Sequence, residues 1–185
     1  RKQRDNTLDY DDLLLYWYHL MRDEALSAAV RERFDAVLVD EYQDTNALQA
    51  AILKGLKPDG RGLTVVGDDA QSIYAFRGAS FRNIIEFPQH FPGAHVVTLE
   101  QNYRSTQPVL DAANALISRA PERYTKVLWT RKEGGERPWL VTAHDEQAQT
   151  RFVVDRLLDL HEDEGLPLRE IAVLFRAGYM SADLE

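Results

Sequence analysis

No cysteine occurs among the 185 residues, which excludes disulfide frameworks, thiolate metal sites and thiol nucleophiles together and fits a reducing compartment. Nor does any apolar run approach the length of a membrane span, and the charged start Arg1-Lys2-Gln3-Arg4-Asp5 has no signal-like apolar stretch behind it. Positive charge is in short supply as well: 22 Lys and Arg stand against 30 Asp and Glu, a formal net charge of -8. A protein that merely coats nucleic acid draws its affinity from neutralised phosphates, so that class is disfavoured and any such contact must be local. Basic residues gather at Arg77 and Arg82, at Arg104, and from Arg123 to Lys132, while acids gather at 9–12 and 159–164. Most runs of this kind are solvated faces. What is present is 44% hydrophobic, enough for one good core or for two small ones that share surface with a neighbour. A soluble, cytoplasmic protein is expected.

Periodicity supplies the elements. Leu13, Leu14, Trp17, Leu20 and Met21 fall on one helical face between about 8 and 32, behind acids at 9–12 that favour a helix start. Ala36-Val37-Leu38-Val39 is a short, continuously apolar run, the pattern of a strand buried on both faces of a parallel sheet, and it ends in Asp40-Glu41. Thr45 is placed to cap a helix carrying Leu48, Ile52 and Leu56. Pro58-Asp59-Gly60 then turns the chain into a second such strand, 63–66, which ends in Gly67-Asp68. A third strand is expected over 94–99, followed by a helix with Val109, Leu110, Ala113, Leu116 and Ile117 on one face. Residues 121–137 read as a loop. Beyond it come a strand over 139–142, a helix capped by Asp145 with Phe152, Val153, Leu157 and Leu160 inside, and a strand over 171–175. Strands alternating with helices predict a mostly parallel α/β sheet.

In open parallel sheets ligands bind beyond the carboxyl ends of the strands, and two neighbouring strands here end there in acids. That suits a phosphate-bound magnesium ion, which keeps most of its waters and needs only one or two carboxylates. An isolated Asp-Glu after a strand would read first as a polar strand end. Its surroundings change that reading. Val39-Asp40-Glu41-Tyr42-Gln43-Asp44-Thr45 resembles the Walker B segment of the UvrD/Rep/PcrA helicases of superfamily 1. The run from Val66 through Gly67-Asp68-Asp69-Ala70-Gln71-Ser72-Ile73-Tyr74-Ala75-Phe76-Arg77-Gly78-Ala79 resembles that family's next motif. Leu99-Glu100-Gln101-Asn102-Tyr103-Arg104-Ser105-Thr106 resembles the one after it, and weaker likenesses lie at 9–13 and 171–176. Three long motifs in the family's order are a specific signal.

The resemblance implies a partial RecA-like core of the P-loop NTPase type, in two incomplete domains: 1–96 from the first and 97–185 from the second. It implies a nucleoid-associated, ATP-dependent DNA helicase that couples Mg-ATP hydrolysis to movement on single-stranded and forked DNA, with repair or replication proteins as candidate partners. Residue by residue, Asp40, with Glu41 beside it, would hold Mg2+. Glu41 would activate the attacking water, work worth about 10²–10⁴ in rate. Gln71 and Arg104 would meet the terminal phosphate of ATP, and Tyr103 would stack on the adenine. An arginine reaching a transferring phosphoryl group supplies roughly 10³–10⁵ in rate. Tyr74, Phe76 and Arg77 would face DNA, since single strands are held by aromatic faces and nearby cations. Tyr74 and Phe76 share a side if the segment is extended, and the competing reading is that one or both belong to the core. Phe76 stands where many family members have tryptophan. Asp40, Glu41, Gln71 and Arg104 are expected to converge on one nucleotide pocket.

A phosphate loop of the form Gly-x-x-x-x-Gly-Lys-Ser/Thr is missing. The nearest spacing, Gly55 to Gly60, is followed by Arg61-Gly62 and comes after a helix, so it reads as a turn. The chain therefore reads as cut at both ends, and on its own it is expected to hydrolyse no ATP. His161-Glu162 lacks the second histidine of a zinc protease, and no serine sits in a Gly-x-Ser-x-Gly turn. Asp159, Glu162, Asp163 and Glu164 precede Gly165 at a helix end and read as solvated. Tyr179, Met180 and Ala182 depart from the polar residues usual in the family there. Two rivals stay open: a helicase-like subunit of a helicase-nuclease, and a relative that only binds DNA or a partner.

Overall fold

A computed structural model describes residues 2–5, 7–182 and 184, so Arg1 of the charged start and Glu185 at the end of the second expected domain lie outside the described residues. Two compact units, Arg1–Glu136 and Arg137–Glu185, are taken separately.

In the first unit a short helix α1 (Lys2–Asp5) precedes α2 (Tyr10–Arg22). Asp9 starts α2 through a reciprocal capping box: its carboxylate accepts from Asp12 N at 2.9 Å, and the Asp12 carboxylate accepts from Asp9 N at 3.0 Å. The single apolar stretch expected over 8–32 is two helices. Asp23 leaves helical geometry at φ -80, ψ 124, closes α2 and caps α3 (Glu24–Arg31) by accepting from Leu26 N. Strand β1 (Val37–Val39) follows, then α4 (Ala47–Leu56), whose cap is Asn46 rather than Thr45, in a second capping box with Gln49. Thr45 instead donates its hydroxyl to Tyr42 O. Strand β2 (Leu63–Val65) pairs with β1 in parallel, Val37 opposite Leu63 and Val39 opposite Val65.

Two small cores hold this unit. Met21, Ile52 and Leu56 are buried where α2 crosses α4, flanked by Leu14, Tyr18 and Leu48. The helices approach so closely that a Cβ on Gly55 would sit 2.8 Å from Met21 Cβ. The second core, Tyr42, Leu53 and Ile84, lies under the strands and is joined by Val37, Val39, Leu63, Val65, Phe87 and Tyr124. Ile84 arrives on α5 (Arg82–Ile85) and Phe87 on α6 (Phe87–His90). The strands are thus covered on one face only, because alternation turns Leu38 away from this core and leaves it 79% exposed; burial on both faces was expected. Helix α7 (Gln107–Ile117) buries Leu110 but leaves Leu116 exposed.

Residues 94–99, 139–142 and 171–175, expected as strands, form no ladder; among the described residues the sheet is β1 and β2 alone. Each has the apolar pattern, but a strand exists only where a neighbour takes its backbone groups. Compactness groups 97–136 with the residues before them, because Tyr124 enters the second core and Lys126 pairs with Asp68 and Asp69.

The second unit is built on α8 (Glu146–Leu158), capped by Asp145 as expected and continued by a wider turn to Asp163. Its apolar residues were expected inside, yet Phe152 is 39% exposed and no described residue of this unit is fully buried.

Candidate functional site

Parallel pairing in register sends β1 and β2 out at one edge, so Asp40-Glu41 and Gly67-Asp68 emerge side by side. The ladder continues one step past the strands, with Val66 N donating to Val39 O at 2.8 Å and Tyr42 N to Val66 O at 2.9 Å. Between those two bonds the chain reverses at Glu41, which takes left-handed backbone angles (φ 50, ψ 43), unique among the described non-glycine residues. That conformation costs roughly 1–3 kcal/mol and persists only where the surroundings fix it. Here they do. Asp40 Oδ1 accepts from Glu41 N at 2.9 Å, and the Glu41 carboxylate accepts from Gln43 Nε2 at 2.6 Å.

Gln43 is 1% exposed and ties the two strand ends together. Its Oε1 accepts from Asp68 N at 3.0 Å; since a backbone N–H can only donate, the amide orientation is settled and Nε2 must face Glu41. Gly67 makes room for this: a Cβ there would lie 2.6 Å from Gln43 Oε1 and 2.7 Å from Ile84 Cδ1.

Asp68 continues the chain of contacts. It caps the turn Asp69–Gln71 by accepting from Ala70 N at 3.0 Å, and its Oδ2 accepts from Gln71 Nε2 at 2.9 Å. Lys126 Nζ donates to both Asp68 and Asp69, and the Asp69 side chain, 5% exposed, also accepts from Tyr124 N. Burial pushes Asp68 toward its neutral form, but the hydrogen bonds from Lys126 and Gln71 outweigh it and leave its pKa below the ordinary carboxylate value. Burial likewise opposes the Lys126 charge, and the two carboxylates overcome it, so the ammonium is held above its usual pKa.

From this edge the chain loops out through Tyr74 and returns. Ala79 bridges to Asn46, Ser80 N donates to Thr45 O at 3.0 Å, and Asn83 Nδ2 donates to Thr45 O at 2.8 Å. The tip is a tight turn, Ala75–Arg77, rather than an extended run. Tyr74 and Phe76 still face each other, ring centroids 5.9 Å apart, with the Arg77 guanidinium 5.0 Å from one ring and 5.4 Å from the other. Phe76 is 72% exposed, so it is not a core residue.

Comparison with known proteins decides the kinship. Residues 1–92 match the UvrD/REP helicase N-terminal domain, and residues 97–185 match the UvrD-like helicase C-terminal domain. The chain belongs to the UvrD-like helicase family. It is 44% identical over 183 residues to DNA helicase II of Escherichia coli K12 and 39% identical over 184 residues to the ATP-dependent DNA helicase PcrA of Leuconostoc citreum. These alignments cover 98% and 99% of the chain but 25% of each relative, so the chain spans about a quarter of their length. A probable DNA helicase II homolog of Rickettsia felis is 37% identical over 97% of the chain and 28% of its own length.

Against this UvrD-like pattern, three of the four residues expected to converge are joined: Asp40 to Glu41 directly, and Glu41 to Gln71 through Gln43 and Asp68. Arg104 is not joined to them by any hydrogen bond or ion pair. It sits with Tyr103 on an exposed turn pinned by Asn102, whose side-chain oxygen accepts from Arg104 N at 2.9 Å and Ser105 N at 2.7 Å. Among the described residues its guanidinium makes no ion pair, while Lys132 Nζ donates to its carbonyl. Tyr103 is 76% exposed. Sequence reasoning missed Gln43, Asp69, Tyr124 and Lys126 as parts of the site. Gln43 lay inside the Walker B resemblance, and Lys126 lay in the basic run 123–132 set aside as a solvated face.

No described cluster of three or more acidic or histidine side chains could hold a metal by itself. Asp40 nevertheless fits magnesium held mainly by phosphates: it is exposed at the strand edge, and only Oδ1 is engaged by the backbone. No helix among the described residues is long and apolar enough to cross a membrane.

Proposed function

We propose that this chain is part of an ATP-dependent DNA helicase, carrying the magnesium-facing and DNA-coupling portion of its motor. Residues 1–96 belong to the first RecA-like domain and 97–185 to the second, with ATP held between them. The observation that carries this reading is the strained Glu41, fixed through Gln43 to the neighbouring strand end that also orients Gln71. Strain of this kind clusters at active sites, ligand clamps and switch segments. The names of the relatives, helicase II and ATP-dependent PcrA, point the same way.

In this reading Asp40 holds Mg2+, which when bound neutralises charge building on the phosphates. Glu41 accepts the proton of the attacking water, and the Gln43 amide keeps its carboxylate aimed. Gln71 reports the terminal phosphate, Arg104 approaches it from the second domain, and Tyr103 stacks on the base. Tyr74, Phe76 and Arg77 bear on single-stranded DNA at the far end of the loop that begins at Gln71, so a shift at either end is transmitted along the same few residues. Without a phosphate loop the isolated chain turns over no ATP.

The test is Glu41→Gln in the full-length protein. ATP binding with magnesium should persist while turnover falls by about 10²-fold or more. Turnover at the unmodified rate would remove Glu41 from the chemistry and, with it, the motor reading of this edge.

A further inference from the structure

Residues 121–130 show no regular secondary structure, yet they are fastened at both ends. On one side the Tyr124 ring packs into the second core, its hydroxyl donates to Ile84 O at 3.0 Å, and its amide donates to Asp69. On the other, Leu128 exchanges two hydrogen bonds with the Asn114 side chain, Trp129 N donates to Glu100 O, and Asn102 N donates to Trp129 O. Lys126 stands between these anchors with its side chain 14% exposed, against 32% for Asp68 and 5% for Asp69. The strap therefore begins on the part matching the N-terminal helicase domain and ends on the part matching the C-terminal one, with one ammonium gripping the turn that carries Gln71.

We infer that Lys126 is a positioning residue for ATP hydrolysis: by holding Asp68 and Asp69 it fixes the carboxylate that orients the Gln71 amide. The inference rests on the reading of Gln71 as the phosphate-facing amide. Asp68 spends Oδ1 on Ala70 N and Lys126, and Oδ2 on Gln71. With Lys126 in place its charge is partly offset, by an ammonium shared with Asp69, and the Gln71 amide is held loosely enough to exchange Asp68 for a phosphate oxygen. Remove the ammonium, and an unbalanced, partly buried carboxylate has the Gln71 NH2 as its remaining side-chain donor and keeps it. Any displacement of 97–136 relative to the strand edge acts on this grip first. Lys126 thus links the orientation of Gln71 to the position of a segment from the second helicase domain.

The experiment measures magnesium-dependent ATP turnover of the full-length protein with and without oligo-dT. Lys126→Met should lower kcat on the order of tenfold or more, since small misplacements of catalytic groups cost up to about 10²-fold, with KM for ATP little changed. Lys126→Arg, which can still reach both carboxylates, should recover most of the rate. The deciding readout is the double variant: Gln71→Ala with Lys126→Met should be no slower than Gln71→Ala alone, because Lys126 acts through Gln71. Additive losses, or an unchanged kcat in Lys126→Met, would overturn the inference. If Lys126→Met does not fold, Lys126→Gln, which keeps a donor but not the charge, should reproduce both the kcat loss and the lack of additivity with Gln71→Ala, and its failure to do so is equally fatal. Undiminished turnover in Gln71→Ala alone would instead sink the underlying reading of the site.

Discussion

Gly67 shows how much of a site can depend on the absence of a side chain. Its backbone angles are open to any residue, so its requirement is one of space: Gln43 Oε1 and Ile84 Cδ1 lie where a Cβ would be, and both belong to buried side chains that cannot swing aside. Gly67→Ala should therefore destabilise the protein by about 1–3 kcal/mol through overpacking. It should also lower kcat, because Gln43 can yield only by leaving Glu41 or Asp68 N. Thermal melting and steady-state ATP turnover of the full-length protein would check the pair of effects; an unchanged Tm together with an unchanged kcat would show that Gln43 is not fixed in this way. None of this was visible in the sequence, where Gly67 looked like part of a strand terminus. Asp40 and Glu41 stood out as candidates because acids end an apolar run, whereas Gln71 was singled out only by the family resemblance. Gln43 and Lys126 did not stand out, because their partners lie 25 and 58 residues away.

At the scale of elements, the sequence marks where a chain can be regular but not what it pairs with. The two apolar runs ended by acids became β1 and β2 because α4 returns the chain beside its start. The equally strand-like runs at 94–99, 139–142 and 171–175 found no partner. The loop through Tyr74 gives the converse case: its aromatics would share a side if the segment were extended, yet it folds into a tight turn and still brings them together. In that turn Arg77 lies near both rings, an arrangement worth about 0.5–1 kcal/mol at an exposed site, and Phe76 remains 72% exposed. Replacing Phe76 with Ala should cost about 1–3 kcal/mol of single-strand affinity, roughly a fivefold or greater rise in Kd for oligo-dT, and should leave turnover without DNA unchanged. Titration of a labelled oligonucleotide at fixed salt measures it. Equal affinity in the variant would place the DNA path elsewhere.

Taken as a whole, the molecule is uneven in a way its composition does not announce. The hydrophobic content allowed two small cores, and two were found, but both lie in the first unit. Residues 137–185 hold α8 by its Asp145 cap, by Arg156 over Trp139 at 5.5 Å and by the exposed ion pair of Arg156 with Glu164 at 3.2 Å, with no fully buried described residue behind them. Exposed pairs of this kind contribute about 0–1 kcal/mol, and isolated helices of 13 residues are marginal in water. Helix α4, by contrast, buries Ile52, Leu53 and Leu56, at roughly 1.5–3 kcal/mol for each fully buried side chain. The two units of the isolated chain should therefore open at different free energies. Native-state hydrogen exchange should find the amides of α4 protected close to the global limit and those of α8 exchanging near the rate of an unstructured peptide. In the full-length protein, α8 should gain protection if the rest of the second helicase domain supplies its missing core. Equal protection of α4 and α8 in the isolated chain would mean that the half-buried faces of Val153, Leu157 and Leu160 suffice to fold the second unit, and that its stability does not wait on a further layer.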